Sequence, residues 1–359
     1  MNDKKRIVVK VGSNVLTRAD GKLDVTRMSA LVDQIAQLRQ NSIEVILVSS
    51  GAVASGRSEL KLSEHRLDTT SQRQLFSAVG QAKLINRYYE LFRDHGIAVG
   101  QVLTMKENFG TRRHYLNQKN CMTVMLENGV IPIVNENDTI SVTELMFTDN
   151  DELSGLIASM MDADTLIILS NIDGIYNGSP AEPNSQVIRE IGQKMDLTNY
   201  IQTNKSSFGR GGMLTKTNIA RKVADEGIEV IIANGKRDDI LLHLLLDNNA
   251  ICTRFIPKSK SISGVKKWIA HSEGFAKGEI TINEKALEAL RGDRAVSILP
   301  IGIIEVTGEF EKDDIIRIMD ADGGLIGVGK ANCTSVQAKA AMGKHAGRPV
   351  VHYDYLYLE

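Results

Sequence analysis

Short runs of adjacent Val, Ile and Leu, each breaking into a small or polar loop, constrain this chain more than any other feature. Ile7-Val8-Val9-Lys10-Val11 breaks into Gly12-Ser13-Asn14, and Val45-Ile46-Leu47-Val48 into Ser49-Ser50-Gly51-Ala52. Val130-Ile131-Pro132-Ile133-Val134 runs into Asn135-Glu136-Asn137-Asp138, and Leu166-Ile167-Ile168-Leu169 into Ser170-Asn171-Ile172-Asp173. Strands that are apolar on both faces belong to parallel sheets covered by helices. Helical patterns separate them: Met28, Leu31, Val32, Ile35 and Leu38 behind a capping Asp24, then stretches over 70–94 and 112–128. The expected fold is therefore α/β, an open and mostly parallel sheet sandwiched by helices. Its loops gather at the carboxyl edge of the strands, where ligands bind in such sheets.

Two stretches carry charge into that frame. Lys10 interrupts a buried strand, and an ammonium there either meets an anion or snorkels to water. Gly12 and Ser13 beside it offer backbone N–H groups suited to phosphate. Gly209-Arg210-Gly211-Gly212-Met213-Leu214-Thr215-Lys216 is a second glycine-rich stretch, opening a helix from Leu214 to Glu226. Its glycine-to-lysine spacing is not that of a Walker A loop. Ser50, next to Gly51, reads either as a helix cap or as a ligand for an acidic substrate. Asp149-Asn150-Asp151-Glu152 precedes an amphipathic helix, and capping accounts for one or two of these residues but not for the cluster together with Glu136 and Asp138.

With 43 Lys and Arg against 44 Asp and Glu, the net charge of -1 argues against a nucleic-acid backbone as main partner. No apolar run approaches the ~20 residues that span a bilayer, and the N-terminus lacks a signal-peptide core. Cys121, Cys252 and Cys333 are widely spaced and fit no metal pattern, so no metal site is expected and a cytoplasmic, reduced protein is. The texture changes after Pro257. We divide the chain into a first domain over 1–257, a linker over 258–275 and a second domain over 276–359. In the last, strands are expected at 279–282, 295–299, 303–306, 315–319 and 326–329, with a hairpin turn at Asp320-Ala321-Asp322-Gly323-Gly324, as in a small β barrel.

Taken in order, Val9-Lys10-Val11-Gly12-Ser13, Val48-Ser49-Ser50-Gly51-Ala52, Pro132 to Asp138, Asp149-Asn150-Asp151 and Gly211 to Lys216 closely resemble the glutamate 5-kinase family of the amino acid kinase superfamily. The C-terminal segment resembles a PUA domain. The resemblance implies ATP and Mg²⁺ as cofactors, and transfer of the γ-phosphoryl group to the side-chain carboxylate of L-glutamate, the first step towards proline. It implies Lys10, Lys216 and Asp151 as catalytic residues, and Ser50, Gly51, Asp138 and Asn150 on glutamate. Lys10, Gly12, Ser170, Asn171, Gly211, Gly212, Met213, Leu214, Thr215 and Lys216 would hold the nucleotide. Relatives usually carry Thr-Asp where this chain has Ser170-Asn171. The resemblance also implies proline as a feedback inhibitor, a glutamyl phosphate reductase as partner, and a homo-oligomer, dimer or tetramer.

The chemistry suits these residues. A carboxylate nucleophile is already ionised at neutral pH and needs no general base, so the protein must supply alignment and neutralisation of phosphoryl charge. Asp151 is expected to organise the metal, orient Lys216 or cap its helix. Asp138 is the expected anion for an α-ammonium, which acetylglutamate lacks. A nucleoside monophosphate kinase would need arginines on the acceptor. RNA binding through the second domain is the competing reading, and 10 Lys and Arg against 13 Asp and Glu after residue 276 give it the wrong sign.

Overall fold

The computed structural model describes residues 5–60, 67–140, 147, 149–179, 182, 184–193, 195–197, 212–259, 263–292, 295–345 and 347–358. Its Cα atoms cluster into two units. The first takes Met1–Asn108 and Leu116–Ser261, and the second Phe109–Tyr115 and Ile262–Glu359.

The first unit is built on an eight-stranded sheet of β1 (Arg6–Val11), β2 (Glu44–Ser49), β3 (Val99–Thr104), β4 (Ile131–Glu136), β5 (Thr165–Ser170), β6 (Glu190–Ile191), β7 (Glu229–Asn234) and β8 (Cys252–Phe255). The order is β3-β4-β2-β1-β5-β7-β8-β6, and every pairing is parallel except β7 with β8. β1 lies between β2 and β5, so the chain leaves the middle strand in both directions. That is the switch point at which open α/β sheets form their crevice. The apolar runs pack as expected: Ile7, Val9, Val45, Leu47, Ile131, Ile133, Ile167 and Ile231 share one core with the Val25–Gln40 helix. Asp24 caps that helix, its side chain accepting from the Arg27 N–H.

Two differences from the sequence reading matter for the site. β4 runs on through Asn135 and Glu136, both buried, so half of the expected polar loop is strand. The Thr69–Arg93 helix buries Phe76, Leu84, Tyr88 and Phe92 together with Ser77, Gly80 and Gln81. A Cβ on Gly80 would lie 1.8 Å from the Ala52 carbonyl oxygen, and one on Gly56 1.9 Å from that of Phe76. Only glycine lets this helix and the Ala52–Leu60 helix pack backbone against backbone.

The second unit carries a five-stranded sheet of β9 (Gly278–Ile282), β10 (Ile303–Gly308), β11 (Ile315–Met319), β12 (Leu325–Ala331) and β13 (Val351–Leu358), in the order β10-β9-β11-β12-β13. All neighbours are antiparallel except β9 with β11. The Asp320–Gly324 turn joins β11 to β12 as expected, with the Asp320 N–H donating to the Gly324 carbonyl. The stretch 295–299 is no strand and makes one bridge, Ile298 to Val351. β13, unforeseen, pairs with β12. The segment expected as a linker holds a helix, Gly264–Ala270, capped by the Ser263 side chain and packed on β13. Trp268 is buried there, its indole donating to the Phe109 carbonyl at 2.9 Å, because an indole N–H inside a core needs an acceptor.

Candidate active site

The carboxyl ends of β1, β2, β4 and β5 deliver the expected residues to one edge. Lys10 is the penultimate residue of β1, and its neighbour Gly12 is kept small by the sheet. A Cβ there would meet the Leu169 carbonyl at 3.3 Å and the Lys10 Nζ at 3.5 Å. Ser50 and Gly51 follow β2, and Gly51 has φ 106°, a conformation that glycine adopts without strain. Asp149 starts the Asn150–Met160 helix, its Oδ1 accepting from the N–H groups of Asp151 (2.9 Å) and Glu152 (3.1 Å).

Two lysines far apart in sequence meet on one carboxylate. Lys10 Nζ lies 2.7 Å from Asp151 Oδ1, and Lys216 Nζ 2.8 Å from Asp151 Oδ2. The side chains are 7%, 12% and 1% exposed for Lys10, Lys216 and Asp151. Burial works to raise the Asp151 pKa, but the two ammonium groups outweigh it and hold the carboxyl below its usual range. Both Asp151 oxygens are paired with lysines, an arrangement able to orient them, and the cap of its helix is Asp149 instead. Asp149 moves the other way, raised by burial and by the charge on Asp151.

Beside this bridge runs a chain of amides. Asn150 Nδ2 donates to Ser50 Oγ at 2.9 Å and to Asn135 Oδ1 at 3.0 Å, and Asn135 Nδ2 donates to Gln81 Oε1 at 2.8 Å. Asn150 Oδ1 and Asp149 Oδ2 are buried and have no hydrogen-bond partner among the described residues. Such acceptors are costly to leave unmet and suit a donor group of a ligand.

Asp138 does not stand alone. Arg73, on the Thr69–Arg93 helix, donates through Nε to Asp138 Oδ1 at 2.7 Å and pairs with Glu136 Oε2 at 3.0 Å. One guanidinium thus serves two buried carboxylates. Burial, then repulsion from Asp138, pushes the Glu136 pKa up to about 7 against the pull of Arg73, and burial raises Asp138 as well. A carboxyl raised from 4.5 to about 7 on folding holds its proton in the native state over that window. Its contribution to stability is full below about pH 4.5 and is lost as pH rises through about 7. Glu136→Gln is therefore expected to flatten the decline in urea midpoint between pH 5 and pH 7. Equal slopes for the two proteins would refute the assignment.

The residues expected to hold a nucleotide are placed less completely. Gly212 caps the Met213–Asp225 helix, which carries Met213, exposed Leu214, Thr215 and Lys216, while Gly211 lies outside the described residues. Ser170 ends β5, and Asn171 is exposed beside it. Asp173 two residues on was not foreseen. It accepts from Asn234 at 3.0 Å and from both Nε and Nη2 of Arg237, at 2.9 and 2.8 Å, which ties the ends of β5 and β7 together. The Arg237 hydrogen bonds, against burial, keep its pKa low. Arg73 and Gln81 were also missed. Their trace in the sequence is a polar residue every four positions, Arg73, Ser77 and Gln81, in a helix that is polar at many other positions as well.

Among the described residues no cluster of three or more His, Cys, Asp or Glu side chains could hold a metal ion, and no helix is long and apolar enough to cross a membrane. The two lysines of the site suit a polyanion.

Known proteins share this architecture. The model of the amino acid kinase family matches residues 5–234, and that of the PUA domain residues 278–353. A glutamate 5-kinase of Bacteroides thetaiotaomicron is 76% identical over 99% of this chain and 98% of its own length. One of Chlorobaculum tepidum is 50% identical over 99% and 97%. Among solved structures, carbamate kinase from Giardia lamblia bound to AMP-PNP superposes with a TM-score of 0.53 at 16% identity, over 72% of this chain and 100% of that one, a likeness of fold.

Proposed function

This chain is a phosphotransferase that belongs to the glutamate 5-kinase family, and on that premise we propose that it phosphorylates the γ-carboxylate of L-glutamate with ATP, giving glutamyl 5-phosphate on the way to proline. The observation that carries the reading is the Lys10–Asp151–Lys216 bridge beside the Ser50–Asn150 pair. A carboxylate oxygen of glutamate attacks the γ-phosphorus, a P–O bond forms, and the bond to the ADP oxygen breaks. The nucleophile carries its charge already, so no proton need be removed. Lys10 and Lys216 neutralise the transferred group, and Asp151 sets where their ammonium groups sit. Mg²⁺, carried on the nucleotide phosphates, supplies further neutralisation when bound.

Ser50, Gly51, Asn150 and Asp138 take the amino acid, the unmet Asn150 Oδ1 receiving its ammonium group. Arg73 cancels one of the two carboxylates, and Glu136, with its pKa pushed up to about 7, adds negative charge as the pH rises through neutrality, which favours the same cation. Gly12, Ser170, Asn171 and the loop from Gly211 to Lys216 take the nucleotide. Residues 1–257 perform the transfer, and 276–359 form the appended domain. Proline, with an α-ammonium and an α-carboxylate of its own, fits the amino-acid side of the site and inhibits there. The enzyme acts in the cytoplasm as a dimer or tetramer and passes its acyl phosphate to a reductase.

Incubation with ATP, Mg²⁺ and hydroxylamine tests the reaction. Trapped hydroxamate is expected with L-glutamate and not with acetylglutamate, aspartate or UMP, and proline is expected to suppress it in competition with glutamate. Equal product from acetylglutamate and glutamate would overturn the acceptor.

A further inference from the structure

We propose that Gln81 is a positioning residue for the amino-acid acceptor: by holding the Asn135 amide it turns Asn150 so that an oxygen, not an N–H, is left for the substrate's ammonium group. The proposal rests on the glutamate kinase reading above and extends it to the Thr69–Arg93 helix.

The polarity of the relay follows from one donor that cannot reverse. The backbone N–H of Glu136 donates to Asn135 Oδ1 at 2.9 Å, and a backbone N–H can only donate. The oxygen of Asn135 is thereby identified, and its nitrogen must be the atom facing Gln81, whose Oε1 accepts at 2.8 Å. The second lone pair of Asn135 Oδ1 then requires a donor, which is Asn150 Nδ2 at 3.0 Å. The other proton on that nitrogen goes to Ser50 Oγ at 2.9 Å. Both N–H groups of Asn150 are spent, and its Oδ1 remains as a buried acceptor without a partner among the described residues. An acceptor alone welcomes an ammonium and repels a carboxylate or carbonyl oxygen at the same place.

Gln81 and Asn135 are both buried, so water cannot readily replace the contact. The depth of Gln81 is held in turn by its neighbour Gly80, whose backbone sits against that of Ala52, two residues after Ser50. Loss of the Gln81 oxygen leaves Asn135 Nδ2 unmet and the Asn135 amide held on one side only, by the Glu136 N–H, so the oxygen that it presents to Asn150 shifts.

The test compares L-glutamate with glutarate, its analogue without the ammonium group, in the full-length protein. Gln81→Met, close in shape but without the acceptor, is expected to raise the KM for glutamate about tenfold, the effect of one hydrogen bond. The ATP KM should stay within about twofold, and the kcat/KM preference for glutamate over glutarate should shrink by about tenfold. Gln81→Glu, which keeps an oxygen towards Asn135, is expected to retain the preference. Should Gln81→Met not fold, Gln81→Asn falls one methylene short of Asn135 and reads the same contact. An unchanged preference in the variant that lacks the contact, or its loss in Gln81→Glu as well, overturns the relay. A wild-type protein inert towards glutamate overturns instead the reaction on which the relay depends, and the two failures are distinguished by that control.

Discussion

Lys216→Ala is expected to leave a folded protein whose kcat for glutamyl phosphate falls by a factor on the order of 10²–10³, the usual cost of removing one charge stabiliser from a transition state. The fold should survive because Asp151 keeps Lys10 at 2.7 Å, so the buried carboxylate is still paired. The glutamate KM should change little, since Ser50, Asn150 and Asn135 hold one another without help from Lys216. A loss confined to kcat would place the ammonium group on the transferred phosphoryl group rather than on the bound substrates. Steady-state kinetics with the hydroxylamine trap reads this directly. Turnover at the wild-type rate would remove Lys216 from the mechanism.

Asp151→Asn should cost more, in two separable ways. The carboxylate is almost wholly buried between two cations, and its removal takes away the charge that holds their two ammonium groups together. Breaking a buried ion pair from one side destabilises by about 3–5 kcal/mol, far more than the loss of a surface pair. The variant is therefore expected to show a clearly lower urea midpoint in the absence of ligands. Its kcat should fall on the order of 10²-fold, because the lysines repel each other away from the positions that meet the phosphoryl group. The ATP KM should not rise, since two cations relieved of the carboxylate that they share bind a polyanion at least as well as before. Added ATP should then recover part of the lost stability by mass action. A variant with wild-type kcat, or one whose ATP KM rises in parallel with the loss of turnover, would contradict this account of Asp151.

The comparison of Lys10 with Gln81 shows what local pattern could and could not convey. Lys10 announced itself by breaking an apolar strand, a position where a charge is costly unless something answers it. Asn150 and Asp151 stood out as more acid and amide than a helix cap needs. Gln81 and Arg73 sit instead on a helix with apolar residues enough for a plain core face, and a glutamine or arginine there reads as an ordinary exposed position. Their importance arises only because Gly56 and Gly80 draw that helix against its neighbour and turn the Ser77–Gln81 side inward. Trp268 misled in the opposite sense. A polar stretch before it suggested a linker, whereas the indole found an acceptor on Phe109 and drew a helix into the second unit.

What the amino-acid sequence determined unaided was the alternation of buried strands and helices, and with it the edge at which Lys10, Ser50, Asp138, Asn150 and Ser170 emerge. Those features follow from periodicity and from the cost of burying charge, both of which are local. The tertiary structure alone decided that Lys10 and Lys216 share Asp151, that Arg73 answers Glu136 and Asp138 together, and that Gln81 accepts from the Asn135 amide. Each of these is a pairing between elements far apart in the chain, and partners of that kind are chosen by how helices pack on the sheet, which no single stretch of sequence encodes.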